Sequence, residues 1–116
     1  NSDMVGHTGN YEAAVKAIEY LDSCVEQLRI QCEKNNITMM ITADHGNSDQ
    51  MVYEDGSAHT SHTGAPVPFC VVHSSLKNAT LKQNSEPSSL KDVATTICHI
   101  LGVAKPANFT GHSIFS

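Results

Sequence analysis

Three clusters of carboxylate and imidazole side chains hold the chemistry available to this chain. The middle one is Thr42-Ala43-Asp44-His45-Gly46-Asn47, where the apolar run Ile37-Thr38-Met39-Met40-Ile41 ends abruptly in an acid, an imidazole and a glycine. Asp3 and His7, four positions apart, lie near the start, and Ala58-His59-Thr60-Ser61-His62-Thr63 follows a short loop. An Asp-His pair leaving the carboxyl end of a buried strand is where open α/β sheets place ligands. Carboxylates and imidazoles without thiolates suit manganese or zinc, with magnesium or iron next. Asp3, His7 and His62 would together make an open three-ligand site of the catalytic kind. Asp44 and His45 offer half of a second site, and the missing half implies further chain. On an extended backbone these two adjacent side chains point apart, so each can serve a different face of a site. Gly46 lacks the Cβ that would crowd a ligand or a tight turn.

The other polar residues read more plainly. His59 is expected to support a ligand or sit at the surface, and His73, His99 and His112 to be structural. Asp49, Glu54 and Asp55 read as solvated loop charges, with orienting a ligand histidine as the alternative for one of them. No serine lies in a Gly-x-Ser-x-Gly elbow, so the chain offers no nucleophile of its own.

Several elements must position these clusters. Residues 1–9, rich in turn formers and holding two glycines, read as a loop leaving an upstream strand. From about Asn10 to Lys34 the apolar positions Ala14, Val15, Ile18, Leu21, Val25, Leu28 and Cys32 recur every three or four residues, the period of an amphipathic helix that packs on a sheet. Asn10 is its expected N-cap and Asn35-Asn36 its stop. Ile37 to Ala43 lacks strict alternation and reads as a strand buried on both faces, as in a parallel sheet. The long polar loop 46–65 has the length of a functional loop. Residues 66–73 form a second strand whose prolines demand an edge or an irregular entry. After a polar connection over 74–88, Ser89-Leu90-Lys91-Asp92 resembles a capping box, opening a second helix that Gly102 ends. The tail from Lys105 to Ser116 is irregular, with Phe109 and Ile114 pinning it. Two strands do not make an independently stable sheet, so the fold is α/β, a partial sheet with flanking helices belonging to a larger domain.

Composition narrows the partners. The 116 residues carry a formal charge of -5, so no basic face invites nucleic acid or an anionic membrane. Bound divalent metal would still make one spot attractive to phosphate. Cys24 and Cys32 stand eight residues apart on one helix, roughly 12 Å of rise, and cannot bridge. All four cysteines read as free buried thiols of a reducing compartment. With no signal peptide or spanning run, a cytosolic location is expected.

At Asn1-Ser2-Asp3-Met4-Val5-Gly6-His7-Thr8-Gly9, at Thr42 to Asn47 and at His59-Thr60-Ser61-His62-Thr63-Gly64-Ala65-Pro66-Val67-Pro68 the chain resembles the cofactor-independent phosphoglycerate mutases of the alkaline phosphatase superfamily. Asn108-Phe109-Thr110-Gly111-His112-Ser113-Ile114 is also similar to the family's C-terminus. The resemblance implies that residues 1–116 are the C-terminal segment of an alkaline-phosphatase-like domain. It implies two divalent ions, manganese first, with zinc, magnesium or cobalt as alternatives. Asp3, His7 and His62 match the ligands of one, and Asp44 and His45 match ligands of the other. The family's nucleophilic serine, a further Asp ligand and the separate transferase domain that grips the glycerate lie outside this chain. The implied reaction interconverts 3-phosphoglycerate and 2-phosphoglycerate through a phosphoserine, in glycolysis, in a full-length protein expected to be a monomer. Its partners would be the small phosphorylated substrate and the rest of its own chain. Because histidine ligands must be neutral to bind metal, activity is expected to fall steeply as the pH drops toward about 6. Flat activity across about pH 6 to 8 at limiting manganese would count against it. Another superfamily member, such as a phosphopentomutase or a phosphatase, would share the ligands and differ in its substrate grip. A non-catalytic metal-binding or interaction module is the alternative of another class.

Overall fold

Asn10 opens the longest element, the helix α2 of Tyr11–Lys34, by accepting from the Ala13 backbone N–H at 3.0 Å. That bond satisfies one of the orphan donors of the first turn. At the far end Asn36 takes φ 54°, while the N–H groups of Asn36 and Ile37 donate to the carbonyls of Glu33 and Cys32, the Schellman arrangement that asparagine tolerates. Both ends lie where the cap residues put them. Residues 2–82 and 87–115 are described in this computed structural model. They fall into two compact units, Asn1–Ser74 and Ser75–Ser116.

In the first unit the expected opening loop contains a short helix, α1, over Ser2–Gly6. Its end is tied by the Thr8 N–H and hydroxyl, which donate to the Val5 carbonyl at 3.0 and 2.6 Å. Gly9 then turns the chain at φ +69°, with Ala58 close beside it. The helix α1 packs against α2. The apolar stripe expected to cover a sheet stays open instead: Ala14 is the buried residue of α2, whereas Val15, Ile18, Leu21 and Leu28 are exposed.

Strand β1 (Met39–Thr42) and strand β2 (Phe69–Val72) pair antiparallel, from Met39 opposite Val72 to Thr42 opposite Phe69. The sheet is therefore not the parallel one expected, and neither strand is buried on both faces. Met39 to Ile41 are half-buried and Thr42 is exposed, because a two-stranded ribbon has no further layers to cover it. Pro68 immediately precedes β2, so the prolines stay out of the ladder. The antiparallel register has one large consequence: residues 43–68 leave and re-enter the sheet at the same end.

That connection is built rather than slack. An isolated bridge joins Gly46 to Thr63 and another joins Val52 to Ala58, and Met51 is buried beneath them. The tip turns at Gly56, φ +82°, where the Asp55 carboxylate accepts from the Ser57 N–H at 2.9 Å and hydroxyl at 2.6 Å.

In the second unit helix α3 spans Lys91–Leu101 and ends on Gly102 at φ 64°. Only half of the expected capping box forms. The cap position is Leu90, with no side-chain cap bond, while Asp92 reaches back to accept from the Ser89 N–H at 2.8 Å. Residues 83–86 of the expected polar connection, and Ser116 of the tail, lie outside the described residues; Ser74–Leu76 is a 3-10 turn. The tail is held chiefly by polar groups of α3. Asp92 accepts from the His112 N–H at 2.8 Å. Thr96, fully buried, donates to the Asp92 carbonyl at 2.7 Å and accepts from the Ile114 N–H at 3.2 Å. Phe109 and Ile114 are only half-buried. All four cysteines are free, as expected, but none is buried: Cys70 is exposed and the others are intermediate.

Candidate metal centre

Three local structures bring Asp3, His7, His45 and His62 together in the first unit, with Asp44 beside His45. Asp3 and His7 are neighbours because α1 makes positions four apart share a face. Asp44 and His45 follow β1 at a bend, and the Gly46–Thr63 bridge brings His62 back beside them. The imidazoles of His45 and His62 stack with centroids 3.5 Å apart, and His7 and His62 stand at 5.0 Å.

The separations are informative. His7 Nε2 lies 3.4 Å from Asp3 Oδ1, and His62 Nε2 lies 3.4 Å from the same oxygen. A good N–H···O bond is about 2.9 Å, so these pairs are too long for strong direct contacts. Ligands at about 2.1 Å from a tetrahedral ion are separated by roughly 3.4 Å. One donor atom each from Asp3, His7 and His62 lies within 4.8 Å of the others. A carboxylate oxygen and two imidazole nitrogens at this spacing fit a single borderline-hard divalent cation.

Asp44 and His45 do not point apart. His45 Nε2 is 3.5 Å from Asp44 Oδ2, because the backbone bends there instead of running extended. Asp44 is 86% exposed at its side chain, facing outward. His45 Nδ1 lies 3.2 Å from the Gly46 carbonyl. Gly46 itself is required by packing: a Cβ there would collide with Thr63 Oγ1 and crowd Asp49 and Ala65.

Two residues support this group, and only the first was unmarked as a support in the sequence. Asn47 donates to Asp3 Oδ1 at 2.6 Å and lies 3.3 Å from His7 Nε2. Its only signal was its place after Asp-His-Gly. Asp49, expected to be solvated, accepts from the Thr63 hydroxyl through both oxygens at 2.8 Å, and so braces the loop beside His62. Desolvation pushes the Asp3 carboxyl up. The Asn47 hydrogen bond and the charges of His7, His62 and His45 outweigh it and hold the pKa below the usual carboxylate range. Asp3 is therefore ionised at neutral pH. The His59 ring lies against Tyr53, centroids 4.7 Å apart. His99 lies against Phe115 at 6.2 Å, and His112 is exposed in the second unit.

Comparison with known proteins adds four findings. The 2,3-bisphosphoglycerate-independent phosphoglycerate mutase of Francisella tularensis subsp. novicida is 47% identical over 117 residues, which cover 100% of this chain and 22% of that protein. Its counterpart in Gloeobacter violaceus is 47% identical over 118 residues, covering 98% of this chain and again 22% of the relative. A crystal structure of Leishmania mexicana phosphoglycerate mutase, obtained at low cobalt concentration, matches 100% of this chain and 23% of its own with a TM-score of 0.84 at 29% identity. The chain thus spans under a quarter of the length of these relatives, and its fold is that of a part of a phosphoglycerate mutase. Among the described residues no helix is long and apolar enough to cross a membrane. The Metalloenzyme superfamily matches residues 1–105, and over that length this chain belongs to it.

Proposed function

We propose that the protein carrying this segment is a phosphoglycerate mutase that interconverts 3-phosphoglycerate and 2-phosphoglycerate without 2,3-bisphosphoglycerate. A serine outside these residues would take the phosphoryl group and return it to the other glycerate hydroxyl. Asp3, His7 and His62 would hold one divalent cation, and Asp44 and His45 would contribute to holding a second. Manganese is the first choice, because the donors are oxygen and nitrogen with no sulfur. Bound cations would make a serine hydroxyl a stronger nucleophile and stabilise charge on the transferring phosphoryl group. The residues of this chain keep the donors ready. Asp3 stays ionised, the Gly46–Thr63 bridge keeps His45 against His62, and the exposed Asp44 faces the side from which further ligands can approach. The cell compartment would be the cytoplasm and the pathway glycolysis.

The observation that carries this reading is the pair of 3.4 Å separations from Asp3 Oδ1 to two imidazole nitrogens. The 47% identity to named mutases supports the choice of substrate over that of a phosphopentomutase or phosphatase. A coupled assay on the full-length protein tests it. Turnover of 3-phosphoglycerate is expected without added bisphosphoglycerate, with loss on chelation and recovery with manganese. Turnover of ribose 1-phosphate in its place, or activity indifferent to chelator, would sink the proposal.

A further inference from the structure

We infer that Asn47 is a positioning residue whose carboxamide latches α1, and with it the Asp3–His7 pair, onto the segment carrying Asp44 and His45. The inference rests on the metal-centre reading just proposed. Two of the candidate ligands come from a five-residue helix, which is too short to hold its own orientation. Something must register it against a segment some 40 residues further on. Asn47 makes that link at more than one point: its Nδ2 donates to Asp3 Oδ1 at 2.6 Å and lies 3.3 Å from the Asp3 carbonyl. The carboxamide oxygen packs against the buried Gly6, where any Cβ would collide with it.

Two roles fit an amide on a ligand oxygen. It could stand in for a cation and be displaced when one arrives, or it could stay and orient the carboxylate. The second fits this geometry. A carboxylate oxygen accepts more than one partner, so Oδ1 can serve a cation and the amide together. A cation on His7 Nε2 would end only the 3.3 Å approach of Asn47 Nδ2 to that nitrogen; the contacts to the Asp3 carbonyl and to Gly6 do not involve a ligand atom, so binding gives no reason to break them. Partners of this kind change metal affinity by about 10–100-fold when removed.

The test uses the full-length protein, stripped by chelation and titrated with manganese(II) alone, with free ion followed by electron paramagnetic resonance. Asn47→Leu keeps the bulk against Gly6 and removes the hydrogen bonds. Gly6→Ala keeps the asparagine but displaces its carboxamide, while favouring helix at α1. Both are expected to weaken manganese binding about 10–100-fold, measured below the melting temperature of each variant. A purely structural role predicts a lower melting temperature with unchanged affinity, and a displaced stand-in predicts tighter binding by Asn47→Leu. Either result overturns the inference. Asp3→Ala separates the two levels: if it loses manganese while Asn47→Leu and Gly6→Ala bind like wild type, the latch fails and the metal centre stands. If Asp3→Ala binds manganese normally, the metal centre itself is wrong and the latch falls with it.

Discussion

Replacing Asp3 by alanine in the full-length protein should lower turnover by roughly 10³-fold or more, because a metal ion supplies several kcal/mol of transition-state stabilisation. Asp3 is the most consequential of the five because both imidazoles, His7 and His62, face its Oδ1 at 3.4 Å. Its carboxylate also offsets the positive charge that a bound cation would bring to two neutral imidazoles. Asp3→Asn is the sharper variant. It keeps the shape and an oxygen donor but removes the charge, and it puts an amide where Asn47 now donates. Both variants should lose manganese in parallel with activity, and excess metal should restore Asp3→Asn more readily than Asp3→Ala. Steady-state assays across a manganese series would check this. An Asp3→Ala protein that turns over normally at limiting metal would remove the basis of the proposed chemistry.

The second large effect concerns stability. Asp92 is buried, and its two oxygens accept from the backbone N–H groups of His112 and Ser89, each at 2.8 Å. Hydrogen bonds to a charged group are worth about 1.5–3 kcal/mol each. Asp92→Ala should therefore destabilise the attachment of the tail to α3 by about 3 kcal/mol, or roughly a hundredfold in local opening. Hydrogen exchange at the His112 and Ile114 amides would report it. The pH dependence has a definite sign. Burial pushes the Asp92 carboxyl up, but the two backbone donors and the charges of Lys91 and His112 leave it below the usual range. A carboxyl with a folded-state pKa below its unfolded value stabilises the fold above about pH 4 and loses that contribution as the pH falls through the folded value. Protection at His112 should be level from neutral pH to about 5 and decline below 4. Exchange at His112 that is the same in wild type and Asp92→Ala would refute this account of the tail.

Much of the local structure was legible because it is decided locally. The period and caps of α2 lie within a few residues of the bonds they make, so Asn10 and Asn35-Asn36 marked its ends correctly. Gly102 likewise ends α3. The short helix α1 was missed because five residues and two nearby glycines leave no period to detect. Its one trace was the four-residue spacing of Asp3 and His7, which is helical spacing. The antiparallel pairing was missed because an apolar run such as Ile37 to Ile41 reads alike in either orientation. Burial was overestimated for the same strand, for the stripe of α2 and for the cysteines. An apolar pattern says which face seeks cover and not whether cover is present in the same stretch of chain.

By itself the sequence determined the candidate donor set: Asp3, His7, Asp44, His45 and His62, oxygen and imidazole nitrogen without sulfur, with a net negative chain around them. Side-chain chemistry is intrinsic to residue type and survives any ignorance of the fold. Only the tertiary structure decided that both imidazoles meet one oxygen of Asp3, that Asp44 and His45 bend together, and that Asn47 and Asp49 brace the group. Those facts depend on contacts between residues tens of positions apart. Such contacts are set by the register of β1 on β2 and the closure of the loop between them, and no local period or propensity encodes them.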